Sequence, residues 1–309
     1  GCESNVKEIF DKCWEMKETR GERVYIFNQF EEFGNYLWHY EVTGHAMEEV
    51  LRQELGSWDT YRGVVLTTGS AGTIGCGDYM KQVFPTSKVV ASEALQCPTL
   101  LLNGFGGHRI EGIGDKHVPW IHNVKNADMV MAIDDQACMR LARLFNEPQG
   151  RTYLAAQGVP EDLVARLDLL GISSIANVLS CIKFAKWYEL GEQDVVLTVF
   201  TDSMALYQSR LRELHEAHGV YTTVEAATDY HRYLQGCTVD YVEELGYWDR
   251  RRIHNLKYYT WVEQQGKTYE EIQAQWYEDG YWPGFQSQIG EIDALIEQFN
   301  ERTGLLAEM

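Results

Sequence analysis

This 309-residue sequence predicts an α/β fold: a parallel sheet with helices on both faces, followed by a helical C-terminal segment. Three observations carry the prediction. Between about residue 5 and residue 200, short β-rich runs alternate with stretches whose apolar residues recur at helical spacing, the pattern of β-α-β units. One of these units, VVLTTGSAGTIGCGDYMK from Val64 to Lys81, passes from strand to helix through a turn of small residues. Such turns lie at the carboxyl ends of strands, where open α/β sheets bind ligands. From about Met204 onward, helix follows helix.

In order along the chain, Asn5 to about Lys17 reads as a helix and RVYIFNQF as a buried strand. TGHAMEEVLRQEL is a helix that Gly56 to Arg62 breaks, and GVVLTTG starts the next strand. SKVVASE and NADMVMAID are strands, DQACMRLARLF and SSIANVLSCIKFAKWYEL helices, and DVVLTVFTD a final short strand. In the C-terminal part, Thr222 with Glu225 and Thr268 with Glu271 have capping-box spacing, in which hydroxyl and carboxylate satisfy the free N–H groups of a helix start. The many Tyr and Trp residues there, Trp248, Trp261, Trp276 and Trp282 among them, are expected in helix packing or a subunit interface.

A length of 309 residues at 45% hydrophobic content suffices for a large core in one or two domains. The 46 acidic and 27 basic residues give a formal charge of -19, which repels nucleic acid and anionic membrane, so neither is an expected partner. The basic run Arg250, Arg251 and Arg252 has Glu243, Glu244 and Asp249 close by and is expected to be a solvated or ion-paired helix face. Seven cysteines, odd in number and without a CxxC pair, argue against a disulfide framework and a zinc knuckle, and fit a reducing cytosol. His215 and His218 lie on a charged helix with no acidic ligand at metal spacing, so no metal is expected. No apolar run approaches the length of a bilayer span. The chain opens on Gly1 rather than Met and runs almost at once into a helical pattern, which raises the expectation of a fragment or a processed start.

The turn after Val64 sets the functional question. Small residues let backbone N–H groups crowd around a ligand, and the following helix start adds partial positive charge, so an anion, phosphate above all, is the natural guest. Dinucleotide binding is one reading, because Glu93 ends the next strand where a ribose-binding acid would sit. The glycines fall at Gly69, Gly72, Gly75 and Gly77, however, so the lone GxG lies inside the predicted helix and lacks its third glycine.

Six ordered segments carry a different resemblance: FNQFEEFGNYLWHYEVTGHAM, TTGSAGTIGCGDYMK, GGHRIEGIGDKHVP, DQACMRLARLF, GISSIAN and FTDSMALYQS. In sequence and spacing they resemble successive landmarks of pyridoxal-phosphate enzymes of the cysteine synthase and tryptophan synthase β type, fold type II, over about Asn5 to Arg210. The resemblance implies the three-layer parallel sheet of the tryptophan synthase β-like fold. It also implies a division into residues 1–29 (the end of a smaller domain), 30–210 (the cofactor domain) and 211–309 (a helical extension). Gly69, Ser70, Ala71, Gly72 and Thr73 match the family's G-T-G-G-T loop, which cradles the cofactor phosphate through backbone N–H groups and hydroxyls; Ala71 replaces a glycine. Ser173 matches the serine that hydrogen-bonds the pyridine nitrogen, where a neutral hydroxyl leaves a softer electron sink suited to elimination at the β carbon. Read without the resemblance, Ser173 and Ser174 would be a helix N-cap.

Gln29 matches a glutamine near the substrate carboxylate, and Gly112, Ile113 and Gly114 match the GIG loop beside the cofactor. Asp115, Lys116 and His117 then replace residues that are small and apolar in cysteine synthases; Asp115 is a candidate to bind a cationic group of the substrate, with surface solvation the alternative. His108, before the loop, is expected to be structural, and Cys76 and Cys97 to be buried thiols. The family's Schiff-base lysine and its Ser/Thr-Gly-Asn loop would lie upstream of Gly1, so no catalytic residue is assigned. The implied protein is a pyridoxal-phosphate-dependent lyase or transferase of amino-acid metabolism, cytoplasmic and homodimeric, catalysing β-replacement or β-elimination on a small amino acid. The alternatives are a non-catalytic regulatory or binding subunit on the same fold and, third, a nucleotide-binding protein.

Overall fold

The computed structural model describes residues 6–304 and 306. Five strands form one sheet in the order β4-β1-β2-β3-β5: β1 is Thr60–Thr67, β2 Lys88–Ala94, β3 Met129–Ile133, β4 Asp194–Leu197 and β5 Val242–Glu244. The first four run parallel, with Val65 opposite Val90 and Ala91 opposite Val130. Both faces are covered, as near-continuous apolar strands require. Val64, Leu66, Val89 and Ala91 point to a core that includes Met80 of helix Ile74–Val83 and Ile253 of helix Tyr247–Asn255. Val65, Val90, Met129 and Met131 point the other way, onto Phe184 of helix Ile172–Trp187. Gly77 allows the closest approach on the first face, since a Cβ there would stand 2.6 Å from a methyl of Val89.

Two segments depart from the sequence expectation. RVYIFNQF is not a strand: residues 24–28 have no regular secondary structure, and Tyr25 and Phe27 are 66% and 88% exposed. Its β-rich composition lacks the ladder partner that a strand requires. The C-terminal segment, for its part, is not helices alone. It supplies β5, antiparallel to β3, with Ala132 donating to the Tyr241 carbonyl at 2.9 Å and Leu245 to that of Asp128 at 2.8 Å. Three residues with two charges carry no strand signal of their own; the open edge of β3 creates the strand.

Elsewhere the segment follows expectation. Both capping boxes form, at Thr222/Glu225 and Thr268/Glu271. Arg250 lies 3.3 Å from Asp128 and Arg252 3.2 Å from Glu243, so two of the three arginines are ion-paired, and Arg251 donates to Gln273 at 2.9 Å. Trp261, Trp276 and Trp282 are buried, whereas Trp248 stays 77% exposed, so only part of the aromatic set packs within the chain. Among the described residues no helix is long and apolar enough to cross a membrane, and no cluster of three His, Cys, Asp or Glu could hold a metal.

Candidate cofactor and substrate site

β1 ends at Thr67, whose N–H goes to the Asn177 side chain at 2.9 Å, and the Thr68 N–H goes to the Ser92 carbonyl at 2.8 Å. The chain then turns through Gly69–Thr73 into the helix Ile74–Val83. Among the described residues, none of the five backbone N–H groups from 69 to 73 has an acceptor. A row of unsatisfied donors at the start of a ten-residue helix has the chemistry to receive an anion.

Asn35 supports this row. Its amide donates to the Ser70 hydroxyl at 3.1 Å and to the Gln29 carbonyl at 2.9 Å. Because Ser70 accepts from Asn35, its own proton is left to donate to a guest. Gly72 makes room for this arrangement, since a Cβ there would stand 2.6 Å from the Asn35 Cγ. Ala71, in the place of a family glycine, has φ 63°. L-residues pay about 1–2 kcal/mol in that region, so Ala71→Gly is expected to stabilise the protein by about 1 kcal/mol, read as a higher urea midpoint.

In front of the turn lies a cavity of about 1000 Å³. Gly69, Ser70, Gln29, Gly112 and Asp115 all line it, so the structure brings together at one cavity these residues that the sequence reading singled out. Ala71, Gly72 and Thr73 are not on its wall. Gly112 and Gly114 have φ of 84° and 77°, and the Gly114 N–H bonds to the Thr68 carbonyl at 2.8 Å, which ties the GIG loop to the end of β1. His108 is structural in its contacts: its buried Nδ1 accepts from the Ile110 N–H at 3.2 Å, and burial lowers its pKa.

Asp115 is only 7% exposed, which rules out the solvated alternative. One of its carboxylate oxygens lies 2.8 Å from Nδ1 of His117, itself buried and ringed by Phe10, Phe30 and Trp261 at centroid distances of 5.8, 5.0 and 5.7 Å. Gln29 is exposed on the cavity wall. Ser173 is buried but lies off this cavity, its hydroxyl 3.3 Å from that of Thr201. It is not an N-cap either, because Gly171 holds that position of the helix Ile172–Trp187.

The acid at the end of β2 turns inward. The two Glu93 carboxylate oxygens accept from the Leu100 and Leu101 N–H groups at 3.0 and 2.9 Å, so Glu93 serves a local helix start and is 2% exposed. A ribose has no access to it, which removes the main support for a dinucleotide. Burial raises the Glu93 pKa to about 8, against the pull of the backbone N–H groups. An acid whose folded pKa is raised binds more protons in the folded state, so its contribution to stability is full below pH 4.5 and lost as pH rises through about 8. The urea midpoint is therefore expected to fall between pH 5 and pH 8 in the wild type, and this slope should flatten in Glu93→Gln.

The sequence reading missed Asn35, Glu31 and Lys267. Asn35 sits in the quoted NQFEEFGN segment, but nothing in its spacing marks it as the support of a loop 35 residues away. Lys267 lies beyond the segments that carry the resemblance. Its Nζ is 2.8 Å from Glu31 on the cavity wall, and only folding brings the two together.

The parallel sheet, with the turn after its first strand and the loop at residues 112–114 at one cavity, agrees with the fold that the resemblance to pyridoxal-phosphate enzymes of the cysteine synthase type implies, and this chain is similar to such enzymes in sequence and in fold. No family model matches it. Its sequence relatives include cysteine synthase of Staphylococcus aureus, 28% identical over 205 residues, covering 66% of this chain and 58% of that one. Cystathionine beta-synthase of Saccharomyces cerevisiae is 27% identical over 192 residues, 60% of this chain and 34% of the other. Among solved structures, a hydrogen sulfide-producing enzyme from Fusobacterium nucleatum aligns with a TM-score of 0.53 at 25% identity, over 71% of this chain and 58% of its own. O-acetylserine sulfhydrylase isoform 3 of Entamoeba histolytica, at 24% identity and a TM-score of 0.54, shares the fold. The chain thus spans little more than half the length of the cysteine synthases it matches.

Proposed function

We propose that this chain is the cofactor-holding part of a pyridoxal-phosphate-dependent enzyme that carries out β-replacement or β-elimination on a small amino acid, cysteine synthase-like in its chemistry. The observation that carries the reading is the turn after β1: among the described residues the N–H groups of 69–73 have no acceptor, Gly69 and Ser70 line the cavity, and Asn35 orients the Ser70 hydroxyl to donate. These residues fit a phosphate. Bound there, the cofactor would supply an electron sink for the substrate α carbon.

The chain's own residues hold and orient. Residues 69–73 would fix the phosphate, the GIG loop would flank the cofactor, and Gln29 would meet the substrate carboxylate. Asp115 would meet a cationic or donor group of the substrate. Ser173 is proposed for the pyridine nitrogen; its helix is tied to the end of β1 through Asn177. A homodimer in the cytosol belongs to the same reading.

A non-catalytic binding subunit is the second reading, and one observation favours it: of the two lysines on the cavity wall, Lys17 sits in no motif of the family and Lys267 is engaged with Glu31. The absorption spectrum of the full-length protein, incubated with pyridoxal phosphate and then with O-acetylserine or serine, decides between them. A visible band that shifts with substrate supports the enzyme. Phosphate-site binding without that band supports the subunit.

A further inference from the structure

The cavity has a wall that the resemblance does not account for. Gln265, Gly266 and Lys267, from the C-terminal segment, are part of it. They are held firmly: Lys267 donates its N–H to the Trp261 carbonyl at 2.9 Å, Gly266 turns at φ 73°, and Gln265 accepts from the Trp14 indole at 3.2 Å. The Lys267 ammonium lies 2.8 Å from one oxygen of Glu31 and 5.2 Å from the Trp120 ring. The other Glu31 oxygen takes a hydrogen bond from Asn28 at 3.3 Å. Both partners of the pair keep about a quarter of their side-chain surface open, 24% and 30%.

The charges on the wall decide what such a pair can receive. Lys17 and Lys267 stand against Glu31, Glu32, Asp115 and Glu271, so away from the cradle the cavity carries excess negative charge. A small anion such as hydrosulfide would meet one cation with a carboxylate beside it, and the two fields largely cancel. A free α-amino acid carries both charges on one carbon. Its carboxylate can bond to Lys267 while its ammonium bonds to Glu31, and both contacts are charge-assisted.

Resting on the reading above, we propose that Glu31 and Lys267 form a binding site for a second, zwitterionic amino acid, which makes the C-terminal segment a specificity element of the pocket.

Calorimetric titration of the full-length protein, with inorganic phosphate in place of the cofactor, tests this with three probes: L-cysteine, 3-mercaptopropionate (carboxylate only) and cysteamine (ammonium only). L-Cysteine is expected to bind about tenfold more tightly than either half-probe. Lys267→Met should cost L-cysteine and 3-mercaptopropionate about fivefold or more and leave cysteamine unaffected; Glu31→Gln should do the converse. Lys267→Arg, which keeps the charge, should restore L-cysteine binding and shows that a loss is not one of folding. Equal binding of L-cysteine and 3-mercaptopropionate, or L-cysteine binding unchanged in Lys267→Met, overturns the proposal. Pyridoxal phosphate uptake is scored separately. Normal uptake with no Lys267 dependence sinks this proposal alone, whereas Lys267-dependent binding without uptake upholds it and sinks the cofactor reading.

Discussion

Gly72→Ala is expected to weaken binding of inorganic phosphate and of pyridoxal phosphate by at least about tenfold and to destabilise the protein by about 1–3 kcal/mol. The new methyl would stand 2.6 Å from Asn35 Cγ and 2.7 Å from its Nδ2, and the helix start leaves the backbone no room to retreat: a Cβ on the neighbouring Gly75 would itself lie 2.5 Å from the Tyr36 carbonyl. Asn35 must therefore move, and with it go the hydrogen bonds to Ser70 and to the Gln29 carbonyl. The loss reaches the ligand because Ser70 would then be free to turn its proton away. Asn35→Ala removes the clash, so in the double variant stability should largely recover while phosphate binding stays weak. Urea unfolding and phosphate titration of the four proteins provide the check. Parallel recovery of both properties would mean that Asn35 fills space and does not orient Ser70.

The sheet was legible because its strands carry their own signal. Val64 to Leu66 and Val89 to Ala91 are apolar on both faces, which a buried parallel strand requires and little else explains. The strand–turn–helix unit around residues 69–73 was legible because it is local: strand, small residues and helix start lie within 18 residues of sequence. What stayed hidden depends on contact between distant segments. RVYIFNQF has strand composition, yet pairing needs a neighbour that the sequence does not display. β5 has no strand composition, yet the open edge of β3 pairs with it. For Asp115 the sequence left a substrate contact and a solvated surface acid both open; only the folded chain buries it beside His117, which aromatic rings surround. The Glu31–Lys267 pair joins residues 236 positions apart, and no pattern within either segment announces it.

The fully buried Lys257 is the second site where a large effect is expected. Its ammonium donates to the carbonyls of Trp120 and His122 at 2.8 and 2.9 Å and to Gln275 Oε1 at 2.6 Å, between the rings of Trp120 and Trp282. Burial pulls its pKa well below the ordinary value, while the three acceptors use every donor an ammonium has. Trp261 adds an indole bond to the Val118 carbonyl at 2.8 Å, so the C-terminal segment holds the stretch 118–122 by its main-chain oxygens. Lys257→Met keeps most of the volume and leaves these acceptors buried without their donor, for an expected loss of about 3–5 kcal/mol. Trp248→Ala, at a side chain 77% exposed, should cost no more than about 0.5 kcal/mol and serves as the control. The same stretch follows directly on Asp115 and His117, and Trp120 lies beside Lys267. Near neutral pH and low temperature, where the variant still folds, L-cysteine binding should therefore weaken more than phosphate binding, because the turn at residues 69–73, the proposed phosphate site, has its own support in Asn35. Equal weakening of both would place Lys257 in general stability, with no particular hold on the wall that the C-terminal segment builds.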